Sequence, residues 1–438
     1  MKKLIFSSLL AFILTSGFAQ NFNSKRLDSL FQLLDKNNKY MGSIAVSENG
    51  KVIYSNAVGY DNISTSKKSD TNTKYRIGSI SKMFTTALIF KAIEEKKLNL
   101  KQTIDKYFPT VKNANKITIS NLLNHRSGIH NITNNEDYSS WETQFQSKEK
   151  MIERIATGKI EFEPDTKADY SNSNFILLTF ILEDVYKKPY SEIITQKIIK
   201  PLQLKNTYYG GKINLDTKEC NSYTFSGQWK KSTETDLSIP QGAGALVSNP
   251  TDLTIFIENL FAGKIISLEN VNLMKTIKDK YGMGMFEYPY FERKSYGHSG
   301  GIDGFRSLLS YFEKEKLAVA LTSNGLNYDL NNIILCALSS YFNKPFEMPN
   351  FEKVTLKPET LDQYLGTYAS LEIPLKITIT KKDASLMAQA TGQSAFPLEA
   401  SSATVFKFDQ AGIVLEFKAS EKQMTLKQGG KEFLFTKE

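Results

Sequence analysis

Apolar residues recur along this chain at several spacings, and each spacing predicts a different element. A largely apolar run over residues 4–14 follows Lys2 and Lys3 and gives way to the small residues Gly17 and Ala19. A basic start, a short apolar run and a small-residue cut predict a secretory signal peptide over residues 1–19. The run is shorter than the ~20 residues a bilayer span needs, and no cysteine follows the cut to take a lipid. Next, Leu27, Leu30, Phe31 and Leu34 give one face of an amphipathic helix. Residues 42–47 and 51–58 read as two strands joined across Glu48-Asn49-Gly50, where Asn-Gly is a strong hairpin signal. From Met83 the positions Phe84, Leu88, Ile89 and Ile93 recur at helical spacing and predict a helix buried in a core. Residues 99–109 read as loop, 117–123 as a short helix, and 175–185 as a helix capped by Asn or Ser. A turn of small residues from Gly242 to Asn249 feeds a helix capped at Pro250-Thr251-Asp252. Residues 306–312 and 316–323 are apolar enough for strands of a buried sheet, and residues 331–342 form a helix returning against it.

The pattern changes from Glu347. Pro349, Pro358 and scattered polar residues predict a linker over 346–360. Beyond Leu361 come about eight short strand-like runs, among them 364–369, 375–380, 405–408 and 413–417. Such spacing predicts a small antiparallel barrel or sandwich over 361–438, behind a main domain over 20–345. The tail carries no histidine, no cysteine and no clustered acid pair, so its expected role is structural or to shape the neighbouring site.

Composition is that of an ordinary globular protein, 41% hydrophobic and 23% charged over 438 residues. The formal net charge is +9, or +7 without the two leader lysines, spread without a dense basic run. That suits an anionic surface or substrate, and no nucleic-acid motif accompanies it. Cys220 and Cys336 stand far apart outside any C-x-x-C pair, which leaves their pairing open. His125, His130 and His298 are the only histidines, without metal-ligand spacing, so no catalytic metal or cofactor is expected.

Candidate chemistry begins at Gly78-Ser79-Ile80-Ser81-Lys82. A serine hydroxyl needs a neighbour to take its proton and donors to hold the oxyanion it creates. Three residues apart on a helix, Ser79 and Lys82 share a face, and the helix N-terminus adds unpaired N–H groups and a positive dipole end. Two other Ser-x-x-Lys tetrapeptides occur, at Ser64 in a polar loop and at Ser147 in a charged stretch; only Ser79 opens a buried helix. Tyr-x-Asn occurs at Tyr54, Tyr60, Tyr170 and Tyr341, and only Tyr170-Ser171-Asn172 sits on a loop between the Ser79 helix and the later strands. His125, beside Gly128, is either a base or a structural hydrogen-bonding residue, and the second is the commoner use. Gly242 to Asn249 lacks the Gly-Lys-Ser/Thr ending of a phosphate loop and reads as packing beside the site.

Ser79-x-x-Lys82, Tyr170-x-Asn172 and His298-Ser299-Gly300, in that order, resemble the penicillin-recognising serine hydrolases. The branch resembled holds class C β-lactamases, D-alanyl-D-alanine carboxypeptidases, D-aminopeptidases and related esterases. Leu122 to Gly128, Pro201 to Thr207 and Gly300 to Phe305 resemble it too. The resemblance implies an α+β (α/β) fold of the β-lactamase and penicillin-binding-protein-like transpeptidase type, an antiparallel sheet flanked by helices, with an appended C-terminal antiparallel β-barrel. It implies Ser79 as acylated nucleophile, Lys82 as partner in proton transfer, and Tyr170 as base and acid provided Lys82 lowers its pKa. Asn172, His298, Ser299 and Gly300 would bind substrate, and the N–H groups of Ser79 and Gly301 would form the oxyanion hole. The substrate implied is a small molecule, ester or peptide, with peptidoglycan-derived D-amino-acid peptides in range, met outside the cytoplasm in the periplasm or medium. Two positions depart from the family pattern. His298 stands where β-lactamases of this branch usually have lysine, which lowers the expected β-lactamase activity in favour of carboxypeptidase, D-aminopeptidase or esterase activity. Pro164-Asp165-Thr166 replaces the more usual Pro-Gly-Thr. The alternative reading is an inactive penicillin-binding-like module that holds cell-wall peptide.

Overall fold

The computed structural model describes residues 22–352 and 354–438; the signal-peptide expectation lies outside them. No helix among the described residues is long and apolar enough to cross a membrane.

Six strands form the main path of an eight-stranded sheet: β1 (Tyr40–Glu48), β2 (Lys51–Val58), β3 (Phe286–Tyr290), β4 (Arg293–Ile302), β5 (Phe305–Phe312) and β6 (Leu317–Leu326). They pair antiparallel in the order β3-β4-β5-β6-β1-β2. The β1–β2 turn places Asn49 and Gly50 at φ 52° and 79°, the left-handed pair that lets two residues reverse a twisted hairpin.

Helices cover both faces, which explains why β5 and β6 are apolar without interruption. Side chains alternate across a sheet, so Leu308, Phe312, Leu317, Val319 and Leu321 point one way and Leu309, Tyr311, Ala318 and Ala320 the other. The first set packs on α1 (Ser24–Lys36) and α5 (Leu330–Tyr341). The second packs on the core of α2 (Ser81–Glu94), α3 (Asn172–Tyr186) and α4 (Pro250–Phe261). Helix α2 is buried on every side from Ser81 to Phe90, with Phe84 stacked on Phe256 at 3.6 Å. Its first turn is thereby fixed from all directions, as a catalytic turn requires.

Nine strands between Gly366 and Lys437 form the tail sheet, every neighbour antiparallel. Its two ends fall in one stretch: Phe396–Pro397 pairs with Ser385–Ala390, and Glu399–Ala400 with Val405–Phe408. The sheet is thus a nearly closed barrel around Tyr368, Leu415, Phe417 and Phe435, a cluster drawn from residues 356–435 alone. It docks on the main body through a Lys39–Asp409 ion pair of 2.7 Å and a Gln410–Asn327 hydrogen bond of 3.0 Å. Cys220 and Cys336 are both free.

Candidate active site

Gly78–Ile80 forms a 3-10 turn that runs straight into α2, so Ser79 sits half-buried at a helix N-terminus. Gly78 has φ 51°, and a β-carbon there would stand 2.7 Å from the Gly301 amide nitrogen. Only glycine lets the nucleophile turn come this close to β4. Strand β3 covers β4 only as far as Gly297, so residues 298–302 present an uncovered edge to Ser79.

Two groups converge on the serine. Lys82 Nζ lies 3.0 Å from Ser79 Oγ, and the Tyr170 hydroxyl donates to the same oxygen at 2.8 Å. Lys82 also donates to Asn172 Oδ1 at 2.8 Å and to the Ala243 carbonyl at 2.8 Å. With no solvent exposure, and no carboxylate among its contacts, the amine has its pKa driven well below the ordinary lysine value by burial. A neutral amine has two N–H groups and one lone pair. The two carbonyl acceptors take the N–H groups and leave the lone pair toward Ser79.

Tyr170 moves the other way. Burial raises its pKa well above that of a free phenol, outweighing its hydrogen bond to Ser79. The expectation that Lys82 would lower it is corrected: the phenol stays protonated and the amine holds the free lone pair.

Asn172 is the first residue of α3 rather than part of the loop, behind Ser171 at the N-cap. Its N–H bonds Asn131 Oδ1 at 3.0 Å and its Nδ2 bonds Thr133 Oγ1 at 3.2 Å. Neither Asn131 nor Thr133 belongs to a motif, so no local signal pointed to them. Ala243 was legible only as part of a small-residue turn. His125 accepts a hydrogen bond from the Ser171 N–H at 3.2 Å and packs 4.5 Å from the Tyr170 ring, so it braces the tyrosine and stands away from Ser79.

His298 differs from its expectation. It is only 2% exposed, and its Nδ1 donates to the Ser299 carbonyl at 2.5 Å. That bond fixes the tautomer and leaves Nε2 buried without a partner. Burial lowers its pKa to about 3, with Lys82 adding to the effect once that amine is protonated. The ring is therefore neutral across the physiological range, packed on Phe286 at 4.7 Å and on Tyr170 at 6.3 Å. Ser299 and Gly301 are exposed on β4 with Gly300 partly so.

Asp165, in place of the family's glycine, takes φ 66°, which aspartate tolerates better than most residues. Its carboxylate bonds Arg126 Nε at 2.5 Å. A cavity of about 670 Å3 opens at Ser79, lined also by Asn172, Gly244, Gly301 and the end of the Tyr223–Lys231 hairpin.

A half-buried serine within hydrogen-bond reach of a buried lysine and a largely buried tyrosine invites comparison with known proteins. The beta-lactamase family model matches residues 27–332. The chain belongs to the beta-lactamase family. Within it, the chain is a serine hydrolase of the β-lactamase-related type. It is 28% identical over 328 residues to a teichoic acid D-alanine hydrolase of Staphylococcus aureus (strain MRSA252), covering 71% of this chain and 78% of the relative. Among solved structures, D-amino acid amidase from Ochrobactrum anthropi SV3 matches at TM-score 0.65 and 23% identity, over 73% of this chain and 99% of its own. The octameric penicillin-binding protein homologue from Pyrococcus abyssi matches at TM-score 0.68 and 23% identity, over 94% of this chain and 100% of its own. The last likeness takes in most of the barrel as well as the family domain.

Proposed function

We propose that this chain is an exported hydrolase that forms an acyl-enzyme at Ser79 on a peptide, amide or ester of the D-amino-acid type, with weak β-lactamase activity at most. The observation that carries the reading is the pair of contacts on Ser79 Oγ, Lys82 at 3.0 Å and Tyr170 at 2.8 Å, with their pKa values pushed apart. A relative that removes D-alanine from teichoic acid and a fold neighbour that cleaves D-amino acid amides support the substrate class.

In this reading the Lys82 lone pair takes the Ser79 proton as Oγ bonds the substrate carbonyl carbon. The carbonyl π pair moves onto oxygen, which the Ser79 and Gly301 N–H groups receive. Collapse breaks the bond to the leaving amine or alcohol, which takes its proton from Tyr170. The tyrosine recovers one from the Lys82 ammonium, and water then repeats the sequence in reverse to free the acid. Removing a member of such a unit lowers turnover by several orders of magnitude. Ser79→Ala is expected to do so, and a fluorophosphonate or penicillin adduct, located by intact mass and peptide mapping, is expected on Ser79. Equal turnover by mutant and wild type would place the chemistry elsewhere, and no adduct with no turnover would favour the binding-module alternative.

Export rests on residues 1–19. N-terminal sequencing of the mature protein from the periplasm or medium is expected to begin at Gln20.

A further inference from the structure

We infer that the acyl group accepted at this site ends in an anion, a carboxylate or a phosphate, received by Lys230, Lys231 and Arg306. The inference rests on the hydrolase reading and names the substrate class of that same site.

The two sides of Ser79 differ. Tyr170 protonates the leaving group in the reading above, so the leaving group departs across the tyrosine and the rings beside it, Tyr281 and Phe286. The 670 Å3 cavity opens on the other side: Ser79, Asn172 and Gly301 line it, and Tyr170 and His298 do not. It therefore takes the acyl group. Lys230 and Lys231 line that cavity at the end of a hairpin, both exposed. Arg306 stands over its rim, with Nη1 3.5 Å from where a β-carbon on Gly301 would be. It donates to the Asp303 and Phe305 carbonyls, at 3.3 and 2.7 Å.

None of these three cations pairs with a carboxylate among the described residues. The acids facing them are Asp303 and Glu142. Asp303 is already spent on Arg76 Nη1 at 3.1 Å and on the Thr235 N–H and hydroxyl at 3.0 and 2.7 Å. Glu142, at the end of the Tyr138–Trp141 helix, is the one carboxylate left to oppose them. The cavity keeps an excess of positive charge that a neutral acyl chain would leave to solvent and an anion would use.

The lysines are also held in place. Phe225 packs edge-on to Trp229 at 5.0 Å, and Trp229 lies 3.2 Å from the position of a β-carbon on Gly325 of β6. The hairpin tip, residues 225–227, faces a cleft whose far wall is Phe396 and Phe408 of the barrel. Packed on β6 through Trp229, the hairpin presents its charges without first having to be ordered.

The test compares p-nitrophenyl hydrogen adipate with p-nitrophenyl methyl adipate, which share a shape and differ in charge. Wild type is expected to favour the anion in kcat/KM, and K230Q/K231Q to lower the anion-to-neutral ratio about tenfold. K230E/K231E is expected to lower it further, and R306Q to lower it less. A 4-phosphonobutyryl ester in the same panel tells whether phosphate or carboxylate is preferred. Recognition without chemistry is read by NMR titration of adipic acid monoamide into the Ser79→Ala protein, with and without K230Q/K231Q. An affinity about tenfold weaker in the lysine variant upholds the inference even if no ester is turned over, when the hydrolase reading alone falls. Equal affinities and an unmoved ratio overturn it.

Discussion

The Arg76 guanidinium reaches the Asp303 carboxylate at 3.1 Å with both side chains almost fully withdrawn from solvent. Arg76 lies three residues before the nucleophile and Asp303 two beyond Gly301, so the pair ties the serine turn to the strand opposite it. Glu234 accepts from the same guanidinium at 2.6 Å, and the Gly211 and Thr235 carbonyls at 2.9 and 2.8 Å. Removing one partner of a buried pair leaves the other uncompensated at a cost of about 3–5 kcal/mol. Asp303→Ala leaves Glu234 as the carboxylate on Arg76, so it is expected to lose stability at or below the low end of that range in denaturant melts, and Asp303→Asn, which keeps an acceptor, to lose less.

Gly78 sets the distance between serine and oxyanion strand. Gly78→Ala adds a methyl at φ 51° that would press on the Gly301 amide 2.7 Å away. Displacing one oxyanion donor costs about 10²–10³ in kcat. Steady-state kinetics should show that loss in kcat with a smaller change in KM.

The rate profile against pH should follow Lys82 and ignore His298. In the proposed mechanism Lys82 takes the serine proton as a neutral amine, so kcat/KM is expected to fall on the acid side as pH drops through its lowered pKa. Tyr170 must keep its proton, and its raised pKa keeps that loss on the far alkaline side. His298 titrates near 3 in the folded chain and contributes no inflection near neutrality. An inflection near 6.5 that disappears in His298→Gln would contradict the burial.

The same histidine has a stability signature. Its folded pKa of about 3 lies below the unfolded value of 6.5, so between the two the unfolded chain binds more protons. Stability from this group is fully present above pH 6.5 and is lost as pH falls toward 3. The limit is on the order of 5 kcal/mol. Thermal melts from pH 7 to 4 should fall less steeply for His298→Gln than for wild type.

We propose that the barrel folds by itself, since its core draws on residues 356–435 alone. A fragment of residues 352–438 is then expected to unfold cooperatively. Asp409→Ala, which strands the nearly buried Lys39, should loosen the docking and speed proteolysis between residues 343 and 357.

The helices with a clear apolar stripe, the Asn-Gly hairpin and the Ser79 turn were legible because local pattern and tertiary burial agree there. So were the decoys. Ser147 turns out to cap a helix, accepting from the Lys150 N–H at 3.2 Å, and Ser64 bonds Asn62 at 2.8 Å in a turn. What stayed hidden depends on contacts distant in sequence. Strand β3 is five residues long and gives little pattern, yet it decides how much of β4 is left open. The Tyr223–Lys231 hairpin joins β6 by one bridge, Tyr223 to Gly325, which no local signal announces. The family motif placed His298 beside the site, but the pattern could not tell that its ring would be sealed under Phe286 and Tyr170.

The joining of the barrel's two ends in residues 396–400 bears on how the protein behaves when crowded. An open sheet of nine strands would present two rows of unpaired N–H and C=O groups, each a template on which another chain can add a strand. Here one stretch spends its first half on one neighbour and its second half on the other, with the Leu398 N–H bonded to the Leu386 carbonyl at 2.8 Å between them. The tail can therefore be rich in β-structure and still offer little purchase to strand exchange or fibre growth.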